Sequence, residues 1–482
     1  MKRKFLSLLL VALLVASVLM VPACSNNNDD PTPPAVTNQS DPAPTPAQTT
    51  DNNDPATETP EAPARDLGGM VITIGNWWGG YDTDTYEPNT LEGEARLLDR
   101  IYIQERYNFT MREVQLGGWG EIQELATMSI IAGDPAASIF ILQPDWFAAM
   151  NAQGMFAPLD FVDFADTTDY TWNQTIIDAT RVNGVPYGWT REIQQGGGVF
   201  YNMRLFEEAG LDRYLPFDLQ ARGEWTWDKF VEISHQLTRD INNDGINDTW
   251  AMATFSSDIL PLALASNRAQ YIGRDENGNF YNATNTPQFM EALSFVNSLQ
   301  HEIGILMPQP PDSEWNWFDH AFHNGQVAMR TSGEWAASGI NDNLDDDFGF
   351  VTFPVGPSGD THRFMGNANV FCIPSTFSPE EVEAIMFAYM LWQRPLPGFD
   401  DPDGWKAGRY LVHSTPRSVD ETIALFSRDG SRMSPAFHGW IPAFEEGPNF
   451  SWRMWHEGSD PAQIVEEAQQ RLNEWIADAN NR

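Results

Sequence analysis

From Met70 onward, short runs of β-branched residues alternate with segments whose apolar residues return at helical spacing, and this alternation limits the fold more than any other feature. Met70-Val-Ile-Thr-Ile74 reads as a buried strand, Glu92 to Glu105 places Ala95, Leu97, Leu98, Ile101 and Ile103 at helical intervals, and Phe109 to Val114 reads as extended. Trp119 to Ile131 predicts a helix and Ser138-Ile-Phe-Ile-Leu142 another strand. The second half repeats the theme with a helix from Trp225 to Arg239, a strand from Thr249 to Phe255 and a long amphipathic helix from Thr286 to His301, followed by Pro379 to Trp392 and Pro461 to Ile476. Such alternation predicts βαβ units and a mostly parallel sheet, the α/β class. Ligands of open α/β sheets sit beyond the carboxyl ends of the strands. Asn76-Trp77-Trp78-Gly79-Gly80 and Gln143-Pro144-Asp145-Trp146 both fall at such ends.

The amino terminus has a different composition. Met-Lys-Arg-Lys precedes an uncharged apolar run from Phe5 to Met20, the order of a secretory signal. Val21-Pro22-Ala23-Cys24 resembles the lipobox of bacterial lipoproteins, so residues 1–23 are expected to be a signal peptide and Cys24 the lipidated new terminus. A lipid chain gains about 0.8 kcal/mol per buried methylene, and two or more chains anchor a soluble body stably. An uncleaved membrane helix is the alternative, and both readings put the body outside the cytoplasm. Residues 24–66 are Asn, Asp, Pro, Thr, Ala and Glu with almost no large apolar side chain, the composition of a disordered tether. Cys24 and Cys372 are the only cysteines, so with Cys24 lipidated no disulfide is available and Cys372 reads as a small buried apolar residue.

Without Lys2, Arg3 and Lys4 the chain carries 25 basic (28 − 3) and 67 acidic residues, a net charge of 25 − 67 = −42. That excludes nucleic acid as a partner, keeps the body soluble and disfavours a strongly anionic ligand. The roughly 415 residues after the tether exceed what one hydrophobic core usually supports, so two lobes are expected.

Several segments in fixed order carry a resemblance. They are Asn183-Gly-Val-Pro-Tyr-Gly188, Val199-Phe-Tyr-Asn-Met-Arg-Leu-Phe206 with Ala209-Gly-Leu211 behind it, Glu224-Trp-Thr-Trp-Asp-Lys-Phe230, Phe322-His-Asn-Gly-Gln-Val-Ala-Met329 with Ser332-Gly-Glu-Trp335, and Phe348-Gly-Phe350 leading to Phe353-Pro-Val-Gly-Pro-Ser-Gly359. Together, from about Val71 to Trp475, the chain resembles the family 1 extracellular solute-binding proteins, the group of maltose-binding protein. The resemblance implies a two-lobed periplasmic-binding-protein-like fold of type II with a cleft that closes by hinge rotation. Lobe 1 is expected over 67–197 and 370–405 and lobe 2 over 198–369 and 406–482, with crossings near Glu192 to Phe200 and Met365 to Phe371. Gly196-Gly197-Gly198 is read as a site of backbone freedom at the hinge. The implied role is a monomeric, lipid-anchored receptor that delivers a sugar to an ABC transporter permease.

The 18 tryptophans, many beside glycine or acidic residues, suit sugar recognition, because sugar rings pack a C–H face on indole while their hydroxyls pair with polar groups. Trp77, Trp78, Trp146 and Trp335 are the stacking candidates, and the resemblance puts Trp335 in the cleft. Asp145 and Glu192 are candidate hydroxyl acceptors and Arg191 a candidate donor. Asp240-Ile-Asn-Asn-Asp-Gly-Ile-Asn-Asp248 has the opening of an EF-hand-type loop, with Asp240, Asn242, Asp244, the Ile246 carbonyl and Asp248 as candidate ligands of a structural Ca²⁺. Ala251 stands where that loop expects its bidentate glutamate, and an Asx-rich turn is the competing reading. No catalytic fingerprint is present in its required context, so no catalytic cofactor is expected. A receptor of this fold for a peptide, polyamine or other solute, and a surface glycoside hydrolase, are the other readings.

Overall fold

The computed structural model describes residues 65–164, 172–191, 196–366, 368–399, 401, 403–428, 433–435, 437–441 and 449–481. The signal peptide, Cys24, the tether up to residue 64 and Glu192 lie outside these residues.

The body is a two-lobed α/β structure built on two four-stranded sheets. The first contains β1 (Met70–Asn76), β2 (Phe109–Gln115), β3 (Ile139–Leu142) and β8 (Val370–Cys372), in the order β8-β3-β1-β2. The second contains β4 (Gly197–Asn202), β5 (Trp250–Ala253), β6 (Val327–Gly333) and β7 (Phe348–Thr352), in the order β7-β4-β6-β5. Each sheet is parallel except for one strand, β8 in the first and β4 in the second.

Those two reversed strands locate the lobe junction. The chain enters the second sheet along β4, whose first residue Gly197 pairs with the last residue of β6, Gly333. It returns to the first sheet along β8, whose first residue Val370 pairs with the last residue of β3, Leu142. A strand that starts beside its neighbour's end must run antiparallel to it, so the crossings meet both sheets at their carboxyl edges. The outgoing segment lies alongside the returning one, since Trp189 and Phe371 exchange backbone hydrogen bonds of 2.9 and 2.8 Å.

The glycines at the first crossing are demanded by packing. None of Gly196, Gly197 and Gly198 has positive φ. Each stands where a Cβ has no room: a Cβ on Gly196 would lie 2.4 Å from Phe364, on Gly197 2.7 Å from Leu262, and on Gly198 2.3 Å from the Val351 carbonyl. Close approach of backbone to its neighbours requires the glycines in this arrangement.

Helix boundaries are set by caps. Thr90 caps Leu91–Tyr107, Thr226 caps Trp227–Leu237 and Thr286 caps Pro287–His301, each accepting a backbone N–H from the first turn. Before Pro379–Trp392, Ser378 and Glu381 form a reciprocal capping box. That helix buries Val382, Ile385, Met386, Tyr389 and Trp392 against Ile72, Ile74, Ile139 and Ile141 of the first sheet. The last helix, Pro461–Asn480, turns Ile464, Val465, Ala468, Leu472 and Ile476 into the core of the second lobe. Cys372 is fully buried in β8, and burial pushes its thiol well above the usual value. Phe437–Trp440 falls in the tail expected in lobe 2, and its Trp440 packs against Phe147 of the first lobe, with ring centroids 6.0 Å apart.

Candidate functional site

The carboxyl edges of the two sheets carry different surfaces. On the first, β1 ends in Asn76, whose fully buried side chain accepts the N–H groups of Trp78 at 3.0 Å and Gly79 at 3.1 Å and fixes the turn after the strand. The turn brings the candidate indoles together. Trp77 lies 4.8 Å from Trp78 and 5.6 Å from Trp146, both edge to face, the geometry that aromatic quadrupoles favour. A fourth indole joins them, since Trp119 lies 5.2 Å from Trp146. Trp119 belongs to no helix, because the helix expected from Trp119 begins at Ile122.

Exposure sorts this cluster. Trp146 is 3 % exposed and Trp77 half-buried, whereas Trp78 is 49 % and Trp119 55 % exposed. Trp146 is therefore not a stacking surface. It supports the outer rings from below, held there because Pro144–Asn151 packs its apolar side on the sheet. Asp145 is half-buried in the first turn of that helix. Arg191, the candidate donor, turns Nη1 to the Gln393 carbonyl at the end of helix Pro379–Trp392. Arg96 does the same for the Arg394 carbonyl at 2.5 Å. Cations at a helix carboxyl terminus satisfy free carbonyls and oppose the dipole there, so this arm of Arg191 caps a helix of the first lobe.

On the second lobe, β6 ends in Gly333 and a single 3₁₀ turn, Glu334–Ala336, follows. The Trp335 ring folds back over the backbone so closely that a Cβ on Gly333 would stand 2.2 Å from its Nε1. Trp335 is 76 % exposed. It borders a cavity of about 370 Å³ with Trp405, Arg409, Glu334, Ser338 and Val412, at the lower end of small-ligand sites. Glu334 is fully buried: Oε1 accepts from His413 Nε2 at 2.9 Å, and Arg409 Nη1 lies 3.0 Å from Oε2. Trp405, Arg409 and His413 were not among the residues singled out in the sequence. Their only signal was a tryptophan four residues ahead of an arginine on a short helix, Lys406–Tyr410.

Beneath the same edge, Arg330 is buried on β6 and paired with Asp319 at 2.6 Å. Asp258, in the first turn of the helix after β5, is pushed up to about 6 by desolvation, with Asp319 adding to the rise and Arg330 opposing it. A larger cavity of about 880 Å³ lies around Trp227, Gln220 and His362. Three of its charged side chains are already paired, Arg222 with Glu224, Asp360 with Arg363 and Glu421 with Arg417, and its tryptophan is buried.

The Asp240–Asp248 loop enters β5 from its amino end, away from the carboxyl edge. Its carboxylates accept from its own amides: Asp240 from Gly245 at 2.8 Å, Asp244 from Ile246 at 2.8 Å, and Asp248 from Ile241 at 2.7 Å. Among the described residues, no three carboxylate, imidazole or thiol groups gather as a metal site.

Two α/β lobes whose connecting segments meet both sheets at their carboxyl edges, with exposed aromatic side chains at both, suit capture of a solute. Residues 102–395 match the model of the bacterial extracellular solute-binding protein family, and the chain belongs to that family. Solved structures with the same fold include the ABC substrate-binding protein Lmo0181 from Listeria monocytogenes in complex with cycloalternan, at 16% identity and TM-score 0.60, covering 85% of this chain and 99% of that one. UgpB from Mycobacterium tuberculosis, in complex with glycerophosphocholine, aligns at 17% identity and TM-score 0.61 over 85% of this chain and 100% of its own. The Thermus thermophilus maltotriose binding protein, bound with maltotriose, aligns at 18% identity and TM-score 0.54 over 85% and 99%. No curated protein matches the sequence. Membership of an extracellular family makes this an exported protein.

Proposed function

We propose that this protein is the substrate-binding lipoprotein of an ABC importer and holds a sugar or oligosaccharide between its lobes. The observation that carries the reading is the presence of exposed indoles at both carboxyl edges, Trp78 and Trp119 on one lobe and Trp335 over a polar pocket on the other. Stacked rings with a few placed hydrogen-bonding groups are what a sugar requires. The ligand is captured by closure, handed to a permease and chemically unchanged. Calorimetric titration with neutral oligosaccharides, maltotriose and cellotriose among them, tests this beside an assay for new reducing ends. Tight binding with the oligosaccharide recovered intact is expected, and turnover would replace the reading with a glycoside hydrolase.

A receptor for a different solute is the second reading, favoured by the similarity to a glycerophosphocholine-binding structure. Silence toward every glycan with binding of a glycerophosphodiester would support it. Attachment through Cys24 is supported by the small residue before it and the apolar run upstream. Metabolic labelling with a palmitate analogue should mark the protein, and Cys24→Ser should abolish the label and release the body. The Asp240–Asp248 loop is proposed to hold a structural Ca²⁺, supported by its ligand spacing and by Gly245 at φ +89.

A further inference from the structure

The pocket under Trp335 has an unusual charge arrangement for a site that exposes an arginine. Of the side chains lining it, only Glu334 and Arg409 carry charge. Glu334 is completely enclosed, and Arg409 is one-third exposed with Nη1 3.0 Å from its carboxylate. The other carboxylate oxygen takes the His413 Nε2 hydrogen bond at 2.9 Å, and His413 is itself sealed beneath the rings of Phe348 and Phe350. The neighbouring cation adds no free charge, because Lys406 Nζ lies 3.1 Å from Asp420 and 3.4 Å from Asp403. The pocket thus offers N–H donors with no net charge behind them.

We propose that Glu334, by cancelling the charge of Arg409 inside the Trp335–Trp405 pocket, makes this subsite select uncharged, hydroxyl-bearing ligands over anionic ones of the same shape. The inference rests on the carbohydrate reading and names the class of sugar. A guanidinium has five N–H donors in a fixed fork, so the arm turned to Glu334 leaves others for a ligand oxygen. A hydroxyl accepts one of these at little desolvation cost. A carboxylate at the same place would lose its hydration and feel Arg409 and the nearby Glu334 with opposite sign, so attraction does not repay the loss. Glu334 is a positioning residue, since it acts on the ligand through Arg409.

The test compares maltotriose and cellotriose with their counterparts ending in glucuronate, titrated at about pH 8, above the ordinary imidazole range. The wild-type protein should bind a neutral trisaccharide at least about tenfold more tightly than its acidic counterpart. Glu334→Gln keeps the shape and leaves Arg409 uncompensated, so the neutral-to-acidic ratio should narrow by about tenfold. Arg409→Gln leaves Glu334 uncompensated, so the ratio should widen, which provides an independent arm if Glu334→Gln folds poorly. Neutral binding with a ratio unmoved in both variants would overturn the charge-cancelling role and leave the carbohydrate reading intact. No binding of any trisaccharide by the wild-type protein would overturn the carbohydrate reading, and this inference with it.

Discussion

The two carboxyl edges carry the same residue type in opposite states. On the first lobe four tryptophans lean on one another, with Trp146 sealed beneath and Trp78 and Trp119 open above. On the second, Trp335 stands exposed over a pocket that it shares with Trp405 and that is floored by an ion pair. The first surface is rooted in its lobe's core through Trp146, and the second is an attachment to a strand end. Truncating the buried Trp146 should therefore damage folding, and truncating the exposed Trp335 should damage recognition.

The largest expected effect tests the first half of that contrast. Trp146→Ala removes a buried ring that props up two others, and it should cost about 3–5 kcal/mol of stability in a denaturant titration. A loss below about 1 kcal/mol would mean that the cluster is a loose surface and not core. Next is Trp335→Ala, which should weaken the bound sugar by about tenfold or more and leave the apo melting temperature unchanged. Equal losses of stability in the two variants would erase the distinction between the edges.

A third test sharpens the contrast through the charges beneath the second edge. Asp258 is held near 6 in the fold against an ordinary 3.8, so the folded state binds the proton more tightly than the unfolded chain. The stability this group contributes is complete below about pH 3.8 and is lost as pH rises through about 6. Asp258→Asn should then raise stability by about 1–2 kcal/mol at neutral pH, with the increment vanishing below about pH 4. Urea titrations across that range check it, and a gain independent of pH would point to packing instead. The smallest effect is expected far from both edges. Calcium should raise the apo melting temperature by a few degrees, about 1 kcal/mol, and Asp244→Ala should remove the increment without altering sugar binding. No response to calcium or to a chelator would leave the loop as an Asx turn closed by its own amides.

Period and capping made the class of fold legible. The helix after Ser378 spans the residues its pattern marked out, and β1 to β3 lie within two residues of the expected runs, because local propensity and apolar spacing act over neighbouring residues. The reversal of β4 and β8 was less accessible, since strand direction depends on which edge the chain enters, and residues far apart in sequence decide that.

The amino-acid order alone determined the alternation of strands and helices, the family and the placing of tryptophans at strand ends. Tertiary packing decided which of those tryptophans face solvent: Trp146 was turned inward by its helix, and Trp119 was left outside because its helix starts at Ile122. It also sent Arg191 to a helix end and set His413 against Glu334, 79 positions away. The physical reason is range. Backbone periodicity is settled by neighbours a turn or a pleat apart, whereas burial and charge pairing are settled by whatever the closed chain brings alongside.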